Sequence, residues 1–153
     1  MKKYKVAFAT GSRADYGIVR NYIAKLNSDP DVDFYILATG ALLSADFGSA
    51  IDIIVEDGFR IDYKDFVELK METLNDTCHI MAKTLQDFSV YFSNNKPDLL
   101  IILGDRYEIY SISIAAAMHR IPILHLHGGE LTMANYDEFI RHSITKMATW
   151  HFT

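Results

Sequence analysis

Short runs of β-branched and aromatic residues alternate along this chain with longer amphipathic segments, and that alternation leaves few folds open. Repeated strand–helix–strand units build a parallel sheet. The runs are Tyr4 to Thr10, Val32 to Thr39, Phe59 to Tyr63, Leu99 to Leu103 and Ile121 to Leu126. Leu99 to Leu103 is apolar throughout, as expected of a central strand covered on both faces. A last β-prone stretch, Trp150 to Thr153, reads as the start of another strand. The expected fold is α/β, a parallel sheet with helices on both faces.

The segments between carry helical spacing. Val19, Tyr22, Ile23 and Leu26 share one face of a helix from about Asp15, ended by Asn27-Ser28-Asp29-Pro30. Ser44 to Asp57 is a second helix, with Gly58 placed as its carboxyl-terminal cap. The clearest helix carries Leu74, Cys78, Met81, Ala82, Leu85, Phe88 and Phe92 at steps of three and four, which predicts a core face and a buried Cys78 thiol. Tyr107 to His119 is a fourth helix. A fifth aligns Ile140, Ile144 and Met147.

At 153 residues, half of them hydrophobic, the chain is long enough for one domain with a real core. Apolar runs such as Leu99 to Leu103 fall far short of the roughly 20 residues a membrane span needs. The basic start Met1-Lys2-Lys3-Tyr4-Lys5 leads to an apolar run that stops at Thr10-Gly11-Ser12-Arg13, too soon for a signal peptide. A single cysteine agrees with a reducing compartment, so the expected location is the cytoplasm. Net charge is −5 and the 15 Lys and Arg are scattered, which argues against nucleic acid as a partner.

Ligands of open parallel sheets bind beyond the carboxyl ends of the strands. Three segments fall there. Gly11-Ser12-Arg13-Ala14-Asp15-Tyr16-Gly17 is no dinucleotide fingerprint, so no such cofactor is indicated. It is either an anion-binding loop with Arg13 as a forked donor, or a plain turn with Asp15 as N-cap. Gly104-Asp105-Arg106 places a partly desolvated carboxylate suited to proton transfer beside a cation that can face an anion. The alternative is an Asp–Arg turn pair.

The third segment is the densest. His125-Leu126-His127-Gly128-Gly129-Glu130 is followed by a helix with Asp137 and Arg141, and Glu138 and His142, four residues apart. The paired glycines permit close approach of a bulky ligand. The helix pairs alone would read as surface salt bridges, but their density beside Glu130 and His127 favours a site.

Gly11-Ser12-Arg13-Ala14-Asp15-Tyr16, Gly104-Asp105-Arg106-Tyr107-Glu108, His127-Gly128-Gly129-Glu130 and Asp137-Glu138-Phe139-Ile140-Arg141-His142-Ser143-Ile144-Thr145-Lys146-Met147 stand in one order along the whole chain. In that set the chain resembles the hydrolysing UDP-N-acetylglucosamine 2-epimerases of bacterial sialic acid synthesis. The resemblance implies that residues 1–153 form an amino-terminal Rossmann-like domain, cut near its end, of a glycosyltransferase-B-like fold. The carboxyl-terminal half, which gives most uridine and diphosphate contacts in the family, lies outside it.

What the resemblance implies about chemistry is loss of UDP from C1 with proton removal at C2, giving a 2-acetamidoglucal. Water then adds, leaving N-acetylmannosamine and UDP. Asp105 and Asp137 match the family's acid or base carboxylates; Arg13 and Arg106 match residues on UDP or the sugar phosphate. Glu130 and His127 join the catalytic set, and Arg141 and His142 the substrate-binding set. No metal or cofactor is implied, and the complete enzyme is expected to be a homo-oligomer acting on a UDP-sugar.

Two positions depart from the pattern. His127 stands where relatives such as the animal enzymes have a catalytic glutamate; either the imidazole takes over proton transfer, or Glu130 reaches in and His127 lines the site. Leu42 stands where many relatives carry a histidine near the substrate, so either activity is impaired or the substrate differs, with a UDP-2,4-diacetamido sugar of legionaminic acid synthesis as the alternative. A third alternative is a non-catalytic half domain that binds a sugar nucleotide weakly.

Overall fold

The computed structural model describes residues 2–44, 50–67, 72–131 and 135–153. Six parallel strands, β1 (Tyr4–Thr10), β2 (Val32–Thr39), β3 (Ile61–Asp65), β4 (Leu99–Leu103), β5 (Ile123–Leu126) and β6 (Trp150–Phe152), stand in the order β3-β2-β1-β4-β5-β6. Every pairing is parallel, so all carboxyl ends lie on one edge. The helices are α1 (Arg13–Asn27), α2 (Ala50–Glu56), α3 (Leu74–Asn94), α4 (Tyr107–Met118) and α5 (Asn135–Met147), with a 3-10 turn at Gly40–Leu43.

Successive strand residues point to opposite faces, and the core is accordingly two layers. Val6, Phe8, Ile36, Ile101 and Leu103 meet Tyr16, Val19 and Ile23 of α1 and Ile54 of α2. Ala7, Ala9, Leu100 and Ile102 meet Phe88 and Phe92 of α3, Ile109, Ile112 and Ala116 of α4, and Ile140 and Ile144 of α5. The central α4 is buried on most sides, and Ser111 and Ser113 satisfy their hydroxyls by donating to the carbonyls of Tyr107 (3.1 Å) and Ile109 (2.7 Å).

Several boundaries differ from the sequence expectation for identifiable reasons. The third strand runs Ile61–Asp65 rather than from Phe59, because Phe59 turns into the core against Tyr16 and Phe34. The fifth begins at Ile123, since the Ile121 N–H is taken by the Ala116 carbonyl at the end of α4. Gly58 has φ +81 just past α2, the left-handed form a cap glycine adopts. Residues 45–49 of the expected second helix lie outside the described residues.

The stripe expected on α3 is only half correct. Phe88 and Phe92 are buried, but Leu74 is 84% exposed and Cys78 is exposed. The aromatic contacts of Phe88, Tyr91 and Phe92 with one another and with Tyr63 set the helix's rotation. Counting back in fours from Phe88 gives Thr84 and Ile80, which are the buried positions. Leu74 and Cys78 lie to one side of that line.

Candidate active site

At the end of β1, α1 begins at Arg13 and its cap is Ser12, whose Oγ accepts the Asp15 N–H at 3.1 Å. The plain-turn alternative has Asp15 as cap; Ser12 takes that place because it is the last extended residue before the helix. Asp15 sits inside the first turn. Burial raises its carboxyl above the usual range, against the lowering effects of the Ser12 hydrogen bond and the Arg106 charge. Its Oδ2 is buried without a hydrogen-bond partner. Arg13 itself is exposed.

At the end of β4, Gly104 takes φ +77 and turns the chain into Asp105 and Arg106. The alternative reading, an Asp–Arg turn pair, is not what forms there. Arg106 Nε donates to Glu108 Oε1 at 2.6 Å, and Glu108 is buried in the first turn of α4. Asp105 pairs instead with Arg141 of α5, whose side chain is almost wholly buried. Arg141 also donates through Nη1 to the Glu130 carbonyl at 3.1 Å, so one guanidinium joins the ends of β4 and β5.

At the end of β5, His127 has φ +58, a left-handed conformation uncommon outside glycine. Its Nδ1 lies 2.9 Å from Glu130 Oε1, with both side chains well exposed. Beside His127 an apolar hollow of about 280 Å³ is lined by residues that include Ile18, Tyr22, Leu126 and Phe152. Asp137 is half-buried in the first turn of α5. His142 lies 3.8 Å from Glu138, as the spacing foretold, but both line a separate groove with Tyr110 and Lys146.

The rim thus brings Asp105 to Arg141, Arg141 to the Glu130 backbone, Glu130 to His127 and Arg106 to Glu108; Arg13, Asp137 and His142 make no hydrogen bond or ion pair within that set of described residues. Carboxylates beside an imidazole suit proton transfer, and the half-exposed Arg106 suits an anion. Among the described residues no three His, Cys, Asp or Glu are arranged to hold a metal ion.

Sequence reasoning passed over three buried polar groups. Glu108 closes the Gly104-Asp105-Arg106-Tyr107-Glu108 motif, and its residue type alone assigns it no role. Its space is made by glycines: a Cβ at Gly11 would come 2.8 Å from Glu108 Oε1, and one at Gly40 3.2 Å. His125 and Thr145 bond each other at 2.9 Å, and a histidine inside an apolar strand run was the available signal. Asp65, at the end of β3, accepts from Thr39 Oγ1 at 3.0 Å.

Two expectations change. The Gly128-Gly129 pair does not open a ligand approach at its first member, because a Cβ at Gly128 would meet His125 Nδ1 and His151 Cβ at 2.8 Å. Leu42 is 1% exposed and packs in the core, with only its N–H facing the loop, bonded to the Gly11 carbonyl at 3.0 Å. Its side chain does not line the rim.

A doubly covered parallel sheet with its ionisable residues gathered at the carboxyl edge defines a Rossmann-like α/β domain. The family model for UDP-N-acetylglucosamine 2-epimerase matches residues 24–153. The chain belongs to that family. It is 47% identical over 151 residues to polysialic acid biosynthesis protein P7 of Escherichia coli, covering 97% of this chain and 38% of that protein. It is 39% identical over 152 residues to a GDP/UDP-N,N'-diacetylbacillosamine 2-epimerase (hydrolyzing) of Campylobacter jejuni, covering 99% of this chain and 39% of that protein. The crystal structure of a Neisseria meningitidis UDP-GlcNAc 2-epimerase bound to UDP-GlcNAc matches with a TM-score of 0.80 at 20% identity, over 97% of this chain and 40% of that one. The fold is therefore a Rossmann-like part of a glycosyltransferase-B-like architecture, and the chain spans about two fifths of these relatives' length.

Proposed function

We propose that this chain is the amino-terminal, sugar-side domain of a hydrolysing 2-epimerase that converts UDP-N-acetylglucosamine to N-acetylmannosamine and UDP, with a second domain completing the uridine site. The observation that carries this reading is the rim, where Asp105, Arg141, Glu130 and His127 are joined within hydrogen-bond reach and Arg106, next to Asp105 in the chain, pairs with Glu108.

The C2–H bond of the sugar has no adjacent carbonyl to stabilise a carbanion, so departure of UDP from C1 must accompany proton removal. The C1–O bond breaks with its electron pair going to the diphosphate, a carboxylate takes the C2 proton, and a 2-acetamidoglucal results. Water then adds its hydroxyl at C1 while a proton returns to C2 on the opposite face. Asp105 and Asp137 serve as acid and base, His127 with Glu130 as the second proton-transfer pair, and Arg13 and Arg106 balance the leaving diphosphate.

A second substrate is favoured by one observation: the Campylobacter relative is named for N,N'-diacetylbacillosamine. Offering both UDP-sugars to the full-length protein decides between them. On either substrate Asp105→Asn should lower kcat by about a hundredfold or more, the usual contribution of a positioned acid or base. Wild-type turnover by that variant would sink the assignment. The 153-residue chain alone should bind UDP weakly and turn over neither sugar nucleotide.

A further inference from the structure

His125 is fully buried, on the face of β5 that meets α5, and the chemistry above makes no use of it. Its Nε2 lies 2.7 Å from the Gly104 carbonyl and its Nδ1 2.9 Å from the Thr145 hydroxyl. A carbonyl can only accept, so Nε2 carries the hydrogen. Burial is the largest influence on this imidazole and, with the His151 and Arg141 charges, holds its pKa below the ordinary value; the Gly104 carbonyl and Asp105 oppose it. A neutral ring has a single N–H, so Nδ1 must accept and Thr145 must donate to it. The Thr145 oxygen is then an acceptor for the Gly129 N–H, 3.1 Å away. Each hydrogen bond has a fixed direction, from Gly129 through Thr145 and His125 to Gly104.

That relay closes into a ring. Gly104 precedes Asp105, Asp105 pairs with Arg141, and Arg141 lies one helical turn before Thr145 on α5. Arg141 also holds the Glu130 carbonyl while Thr145 holds the Gly129 N–H. Two residues of one helix thereby tie the Asp105 corner to the turn that carries His127 and Glu130. The ring has little slack, since a Cβ on Gly128 would press His125 Nδ1 at 2.8 Å and Thr145 Oγ1 at 3.0 Å.

We propose that His125, acting through Thr145, is a positioning residue that keeps Asp105 and the His127–Glu130 turn in a fixed relative placement for proton transfer. Its catalytic meaning rests on the epimerase reading above; its geometry does not. A displacement of about 1 Å between reacting groups can cost about a hundredfold in rate.

Thr145→Val keeps the side chain's shape and removes the hydroxyl, whereas Thr145→Ser keeps the hydroxyl. In the full-length protein Thr145→Val should lower kcat by about 10- to 100-fold with KM within about twofold, and Thr145→Ser should stay within about threefold of wild type. Equal kcat for wild type and Thr145→Val overturns the proposal. In the chain itself, nitrogen-15 NMR of the histidine rings at pH 7 should find His125 with one hydrogen, on Nε2. A ring protonated at Nδ1 overturns it as well, whether or not the valine variant folds. If the wild-type protein turned over no UDP-sugar, the epimerase reading would fail on its own, while the tautomer and the rate of Gly129 amide exchange in the serine and valine variants would still judge the ring.

Discussion

The carboxyl edge of the sheet has two corners where glycine makes room for a buried polar side chain, and they are built on opposite terms. At one, Gly11 and Gly40 leave space for the Glu108 carboxylate. At the other, Gly128 leaves space for His125 and Thr145. The first corner is charged: Glu108 Oε1 takes Arg106 Nε, while Oε2 is buried without a partner. The second is neutral, and each ring nitrogen of His125 is bonded. Buried polar groups are nearly all paired in folded proteins. The neutral corner is fully paired; the charged one has a buried acceptor to spare and a 40%-exposed guanidinium.

The same substitution made at both corners should expose the contrast, and the larger effect belongs to the neutral one. Gly128→Ala drives a methyl into the His125 ring, the His151 Cβ and the Thr145 oxygen, all within 3.0 Å and all held by the sheet or α5. Overpacking a site that cannot yield costs about 3 kcal/mol or more. Urea unfolding of the chain measures it, and a loss under about 1 kcal/mol would mean that this corner is as pliant as the other.

Asp65 extends the comparison to a buried carboxylate whose bonded neighbour is a hydroxyl. It is 1% exposed, its nearest partner is Thr39, and burial, followed by the nearby Asp87, pushes its pKa up to about 6. Between about pH 4 and pH 6 the folded chain therefore holds a proton that the unfolded chain has released. That contribution is complete below pH 4 and is lost as the pH rises towards 6, amounting to about 3 kcal/mol. Asp65→Asn should flatten the decline and be the more stable form at pH 8. Unchanged pH dependence in urea titrations of the variant would place the proton elsewhere.

Most of the frame was legible in the sequence, because strands such as Leu99–Leu103 and helices such as α5 are fixed by local period and by burial that any helix packing would satisfy. The rotation of α3 was not, since it depends on which of two adjacent apolar lines meets Tyr63. At the rim, Asp105, Arg106, Glu130 and His127 were legible as residue types at strand ends, but their partners were not. Arg141 bonds Asp105 across 36 residues, and Glu108 faces Gly11 from a helix nearly a hundred positions on. Spacing along the chain carries pairs on one helix, such as Glu138 and His142; it carries nothing about what two crossovers bring together.

Gly11→Ala is the smaller of the paired edits, and its sign depends on Glu108. Gly11 is not among the glycines with positive φ, so an alanine backbone is tolerated and gains about 0.5 kcal/mol from a less free unfolded chain. Against this, the new methyl would stand 2.8 Å from Glu108 Oε1 and 3.1 Å from its Cγ. A carboxylate can swing away, but doing so stretches a 2.6 Å bond to Arg106 and leaves a second acceptor buried without a partner. The net cost should be about 1 kcal/mol, well below that at Gly128. In a Glu108→Asp background the carboxylate is withdrawn by one methylene, the collision disappears, and Gly11→Ala should become neutral or slightly stabilising. If its cost were the same in both backgrounds, Glu108 would not be what this glycine makes room for, and the charged corner would owe its shape to the backbone alone.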